Sequence, residues 1–112
     1  MKIYHNPRCS KSRQTLALIE EKGVEVEVVE YLKNTPSKAE LMDIIGKLGI
    51  SAYELLRRGE KDFIENYKGK DLTDDQWIDA MIQYPKLIER PIVIKDQKAV
   101  LGRPPENVLD LI

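Results

Sequence analysis

The segment Met1-Lys-Ile-Tyr-His-Asn-Pro-Arg-Cys-Ser-Lys-Ser-Arg13 changes character twice in a short distance. Ile3 and Tyr4 make a brief apolar strand, Asn6 and Pro7 a turn, and a helical pattern begins between Ser10 and Ser12. Cys9, the only cysteine of the chain, therefore falls at a helix N-terminus. Unpaired backbone N–H groups and the macrodipole favour an anion there. Arg8, Lys11 and Arg13 add cations on both sides. Both influences lower a thiol pKa from about 8.5 toward roughly 3.5–7.5, and the thiolate is the reactive form. A lone cysteine is more often a small buried hydrophobe. Its neighbours here are charged or hydroxyl-bearing, so Cys9 reads as a nucleophile whose surroundings also hold an oxyanion.

The rest of the chain extends this strand–turn–helix start. Ser12 to Lys22 reads as the helix, with Leu16 and Ile19 inward and Gly23 as its stop. Val24 to Tyr31 alternates like a half-buried strand, and Asn34-Thr-Pro36 breaks it. Ser37-Lys-Ala-Glu40 is a capping box opening a helix through Leu41, Ile44, Ile45 and Leu48, ended by Gly49. Ser51-Ala-Tyr-Glu54 repeats the signature for a short helix stopping at Gly59, and another short helix is expected from Lys61 to Tyr67. Thr73-Asp-Asp-Gln76 opens a helix with Trp77, Ala80, Met81 and Tyr84 on one face, ending before Pro85. Ile92–Ile94 and Ala99–Leu101 read as a hairpin around Lys95-Asp-Gln-Lys98, and Pro104-Pro105 begins a closing helix through Val108, Leu109 and Ile112.

Strand, helix, strand, helices, hairpin, helix implies an α/β fold: a thioredoxin-like mixed four-stranded sheet with flanking helices and a central helical insertion. The expected layout is one domain over residues 1–112, with the core at about 1–33 and 87–112 and the insertion at about 36–86. The apolar and charged fractions, 42% and 33%, belong to a globular protein rather than a disordered one. A net charge of −1 argues against nucleic acid as a partner. One cysteine excludes an internal disulfide and suits a reducing compartment. With no signal-peptide pattern and no apolar run near the ~20 residues of a membrane span, the expectation is a cytoplasmic protein with no membrane association, and a monomer.

His5-Asn-Pro-Arg-Cys-Ser-Lys-Ser-Arg13, Leu55-Leu-Arg57, Glu89-Arg-Pro-Ile-Val93 and Gly102-Arg-Pro104 together resemble the glutaredoxin-dependent arsenate reductase family, and within it the short, YfgD-like branch. The resemblance runs through essentially the whole chain, in order and at matching spacings. It implies that Cys9 attacks arsenate while Arg57, Arg90 and Arg103 bind the oxyanion. Arginine forks suit that task, because a thiolate must approach a substrate that is itself an anion. Taken singly, each of these arginines reads as ordinary charged surface, and Arg58 is an alternative to Arg57. The resemblance also implies a cis peptide bond before Pro91, where a trans proline opening a strand is the ordinary case.

His5, Ser12 and Arg13 are candidates to support the thiolate. For His5 a structural role at the strand end is the alternative, for Ser12 a helix cap, and for Arg13 holding the loop or touching substrate. One His and one Cys do not supply the four ligands of a structural zinc site, so no metal is expected. A single thiol cannot release two electrons as an internal disulfide, so an external thiol must complete the cycle. The family implies glutathione as co-substrate and glutaredoxin as partner, with no bound cofactor. Cys9-Ser-Lys-Ser12 lacks the second cysteine of a dithiol oxidoreductase, and C-x₃-R to Arg13 differs from the C-x₅-R loop of cysteine phosphatases. Where the family carries A-C-G-T-S-R, this chain has Arg8-Cys-Ser-Lys-Ser-Arg13. A thiol-disulfide reductase that deglutathionylates another substrate is therefore one alternative. A non-catalytic, Spx-like regulator binding RNA polymerase is the other.

Overall fold

The computed structural model describes all residues from Met1 to Ile112. The chain forms two compact units, one of Met1–Asn34 with Arg90–Ile112 and one of Thr35–Glu89.

The first unit is built on a four-stranded sheet of β1 (Lys2–His5), β2 (Glu27–Glu30), β3 (Ile92–Lys95) and β4 (Lys98–Leu101), in the order β2-β1-β3-β4. β1 pairs parallel with β2 and antiparallel with β3, and β3 pairs antiparallel with β4. The β3–β4 turn is tight, with Asp96 in the left-handed region (φ 55°) that Asp tolerates better than most residues. α1 (Ser10–Glu21) crosses between β1 and β2. It packs against a closing 3₁₀ helix, Pro105–Asp110. Ile3 and Val93 face each other across the β1–β3 register and bury, with Ile19, Val108 and Leu111, into one apolar cluster. Each such side chain, once buried, stabilises the fold by about 1.5–3 kcal/mol. The sheet thus fixes the exit of β1, the entry to β3 and the exit of β4, which carry the residues of interest.

The second unit is helical: α2 (Lys38–Leu48), α3 (Lys61–Asn66) and α4 (Asp74–Gln83), with 3₁₀ turns at Tyr53–Leu55 and Pro85–Leu87. Ser37 caps α2 and Thr73 caps α4, each in a complete capping box with Glu40 and Gln76. Gly49 ends α2 at φ 69°, a conformation glycine adopts without steric cost. α2 and α4 pack together, and Phe63 stacks on Trp77 with ring centroids 5.9 Å apart.

The elements depart from the sequence expectation in three places. The second strand is only Glu27–Glu30, because β1 pairs Lys2 with Glu27 and offers Val24–Val26 no partner. Val24 and Val26 pack against the core cluster instead. The helix expected after Ser51 is a single 3₁₀ turn, since the chain extends at Leu56 to bridge Ile88. The closing helix is 3₁₀ rather than α. Asn107 N–H bonds the Pro104 carbonyl and Leu111 N–H the Val108 carbonyl, each at 3.0 Å and three residues back, the 3₁₀ spacing. No helix is long and apolar enough to cross a membrane.

Candidate active site

Cys9 is the N-cap residue of α1, with extended backbone (φ −93°, ψ 122°). The turn that delivers it is closed by its own N–H bonding the Asn6 carbonyl at 3.0 Å, while Asn6 Oδ1 accepts from Arg8 N–H at 3.0 Å. A serine, threonine or aspartate normally occupies this position and accepts from the first-turn N–H groups. Here a sulfur occupies it. Burial of Cys9 pushes its pKa up, but the backbone N–H groups of Ser12 and Lys11 and the Arg90 guanidinium, by hydrogen bond and charge, outweigh that and hold it below the ordinary thiol value. α1 has no acidic residue in its first turn to oppose them.

Arg103 Nη1 lies 3.9 Å from Cys9 Sγ and donates to the Arg90 carbonyl at 3.3 Å. Arg90 and Arg103 each precede a cis proline, at Arg90–Pro91 and Arg103–Pro104. The family resemblance implies only the first of these bonds. The segment carrying Arg103 is further tied down by Asn107, whose side-chain amide donates to the Leu101 and Arg103 carbonyls at 3.1 and 3.2 Å. Three distant stretches of sequence, the loop after β1, the entry to β3 and the exit from β4, thus meet at one thiol.

His5 and Ser12 stand behind this loop. His5 Nδ1 is 2.6 Å from Ser12 Oγ, which also accepts from Asn6 N–H at 3.0 Å. Burial is the main reason the His5 pKa is lowered, with Arg13 adding to it against the opposing charges of Glu30 and Glu20. The direction of the His5–Ser12 hydrogen bond follows the tautomer of the neutral ring, since the hydroxyl can either donate to Nδ1 or accept from it. Ser12 therefore does not cap α1: it lies inside the helix, and what it gives the thiol is its backbone N–H. Arg13 donates to the Pro7 carbonyl at 2.9 Å and so holds the loop.

Arg57 belongs to the helical unit. Its Nε lies 3.7 Å from Glu60 and 3.8 Å from Glu89, and its backbone N–H bonds the Leu87 carbonyl at 2.7 Å. Arg58 donates to the Tyr53 carbonyl and lies over the Tyr53 ring, 4.6 Å from its centroid. The sheet unit by itself assembles Cys9, Arg90 and Arg103. Asn107, which ties down the segment carrying Arg103, has no sequence signal: it looks like any polar residue of a closing turn.

A mixed sheet of this order, with a cysteine capping its first helix, defines a thioredoxin-like thiol protein. Within that class the chain belongs to the ArsC family, whose model matches residues 4–111. It is 51% identical to the uncharacterized protein YfgD of Escherichia coli K12, over all of this chain and 96% of that one. It is 46% identical to an arsenate reductase of Escherichia coli, over 98% of this chain and 79% of the relative. The solved arsenate reductase from Vibrio cholerae superposes with a TM-score of 0.94 at 45% identity, covering all of this chain and 98% of that one.

Proposed function

We propose that the protein reduces arsenate to arsenite by a single thiolate, Cys9, with an arginine cluster of Arg57, Arg90 and Arg103 binding the oxyanion, and glutathione and glutaredoxin supplying the electrons. The observation that carries this reading is the thiol itself. It is held toward the anionic form by helix N–H groups and Arg90, and a second guanidinium lies 3.9 Å from the sulfur. Relatives named arsenate reductase at 44–47% identity support the substrate.

In the proposed cycle the Cys9 thiolate attacks As(V) and an oxygen leaves as water, giving a Cys9 S–As bond. A glutathione thiolate then attacks the Cys9 sulfur. The new S–S bond forms as the S–As bond breaks, and its electron pair stays on arsenic, which departs as As(III). The two thiolates have together given up two electrons and remain as a mixed disulfide. Glutaredoxin attacks the glutathione sulfur of that disulfide and frees Cys9. Guanidinium groups neutralise the arsenate charge that would repel a thiolate, and preorganised donors stabilise the charge that builds as oxygen leaves. The cycle calls for a reducing cytoplasm.

One observation favours a second reading with the same nucleophile. Arg8 and Lys11 are exposed and belong to no ion pair, which suits a thiol reductase that takes glutathionylated substrates. Arsenate-dependent NADPH oxidation, with glutathione, glutaredoxin and glutathione reductase supplied, separates the two. Turnover that vanishes in Cys9→Ser supports arsenate reduction. Absence of turnover with arsenate, alongside reduction of a glutathionylated peptide, overturns it in favour of the second reading.

A further inference from the structure

Thr15 is fully buried one turn into α1. Its hydroxyl donates to the Lys11 carbonyl at 2.8 Å, within the helix, and to the Gly102 carbonyl at 3.2 Å, just past the end of β4. A threonine hydroxyl has one hydrogen, so the two carbonyls share it. Gly102 in turn donates its N–H to the Pro91 carbonyl at 2.9 Å. The three residues meet so closely that a Cβ added to Gly102 would lie 2.6 Å from Thr15 Oγ1 and 2.8 Å from Pro91 Cγ. The approach therefore depends on Gly102 having no side chain.

This contact joins the three segments that carry the site, each within one or a few residues of its charged or nucleophilic group. Lys11 follows Cys9 in the first turn of α1, Pro91 follows Arg90, and Gly102 precedes Arg103. A shift at this buried joint would move the helix cap relative to both guanidinium groups. The Arg103 Nη1 to Cys9 Sγ separation is already 3.9 Å, so a small outward movement ends the contact.

We propose that Thr15 is the positioning residue of the thiol–guanidinium pair: its shared hydroxyl pins the first turn of α1 to the Gly102 carbonyl and so sets where Cys9 lies relative to Arg90 and Arg103. The proposal rests on the reading of Cys9 as the reactive group, and it is independent of which oxyanion the site takes. A misplacement of about 1 Å at a reacting centre costs about 10²-fold in rate, and a partial shift at this joint falls below that.

The test is alkylation of Cys9 in the whole protein by neutral iodoacetamide and anionic iodoacetate across pH. The variants are Thr15→Val, which keeps the shape and removes the donor, Thr15→Ser, which keeps the donor, and Arg103→Gln. Thr15→Val is expected to raise the pH midpoint of alkylation and to lower the iodoacetate-to-iodoacetamide rate ratio about threefold or more, since the anionic reagent alone senses the guanidinium groups. Thr15→Ser is expected to restore both. In an Arg103→Gln background Thr15→Val should change the ratio less than it does alone, because the two act on one contact. A folded Thr15→Val protein with an unchanged midpoint and ratio overturns the proposal, whatever its thermal stability. So does Thr15→Ser behaving like Thr15→Val. Should Thr15→Val fail to fold, the same measurements on Thr15→Ala decide in its place. Lack of arsenate turnover in the wild type would sink the proposed function and leave these results standing.

Discussion

The two units solve the same local problem, how to begin a helix, in opposite ways. In the helical unit α2 and α4 open with hydroxyl caps, reciprocal Glu40 and Gln76 side chains, and acidic first turns containing Glu40 or Asp74 and Asp75. Those features satisfy the free N–H groups and complement the macrodipole, and Asp75 also pairs with Lys38 of α2 at 2.9 Å. In the sheet unit α1 opens with Cys9, no conventional side-chain cap and no acid in the first turn. Its N–H groups and the nearby Arg90 are left facing a sulfur. The difference teaches that α1 keeps its positive end available for an anion, while α2 and α4 spend theirs on their own stability.

The strongest way to break this comparison is Cys9→Ser, which turns the α1 start into one of the helical-unit type. Alkylation and thiol-dependent turnover should disappear entirely. Stability should not fall, and chemical denaturation should show it level or up by about 0.5–1 kcal/mol, because serine is a good cap. A clear loss of stability would mean that the thiol is a structural group.

Arg90→Gln sharpens the same point from the cation side. The guanidinium hydrogen bond and charge that favour the thiolate are removed while the N–H groups of Ser12 and Lys11 remain. The midpoint of the pH–alkylation profile should move up toward the ordinary thiol value, and the rate at pH 6 should drop several-fold. An unmoved midpoint would leave the helix terminus as the whole cause.

Thr73→Ala and Ser37→Ala test the other half. Each should cost about 1 kcal/mol of stability, measured by urea denaturation, and neither should change the Cys9 alkylation profile. An effect on that profile would mean that the capped helices serve the thiol as well.

The smallest effect concerns His5. Burial holds its folded pKa below the ordinary 6.5, so the folded state favours the neutral ring. Its contribution is fully present above pH 6.5 and is lost as the pH falls through the folded value, where the unfolded chain binds the proton more readily. Denaturant midpoints at pH 7.5 and 5.5 should differ more in the wild type than in His5→Gln. Equal differences would remove His5 as the cause.

Much of the helical unit could be read directly from its residues because its determinants are local. Ser37 with Glu40, Thr73 with Gln76, and Gly49 after Leu48 each fall within one turn of the boundary they set, and the capping boxes form as expected. The strand–turn–cysteine–helix order at residues 2–21 was equally plain, since it too is a local change of period. Strand extent was less so. Val24 and Val26 alternate with Glu25 like a strand, but a strand exists only where a partner pairs, and β1 pairs no further than Glu27. The closing residues Pro105–Asp110 have helical spacing, yet their hydrogen bonds reach back only three residues and the helix is 3₁₀.

The sequence alone determined the class of fold, the capped helices and the placing of a thiol at a positive helix end, because periodicity, caps and turn residues act over one to four neighbours. Only the tertiary structure decided which cations reach that thiol. Arg90 and Arg103 come to Cys9 from far along the chain, and the joint of Thr15 with Gly102 that aligns them spans 87 residues. Such meetings arise from sheet order and close packing, which nothing within a few residues of Thr15 or Gly102 encodes.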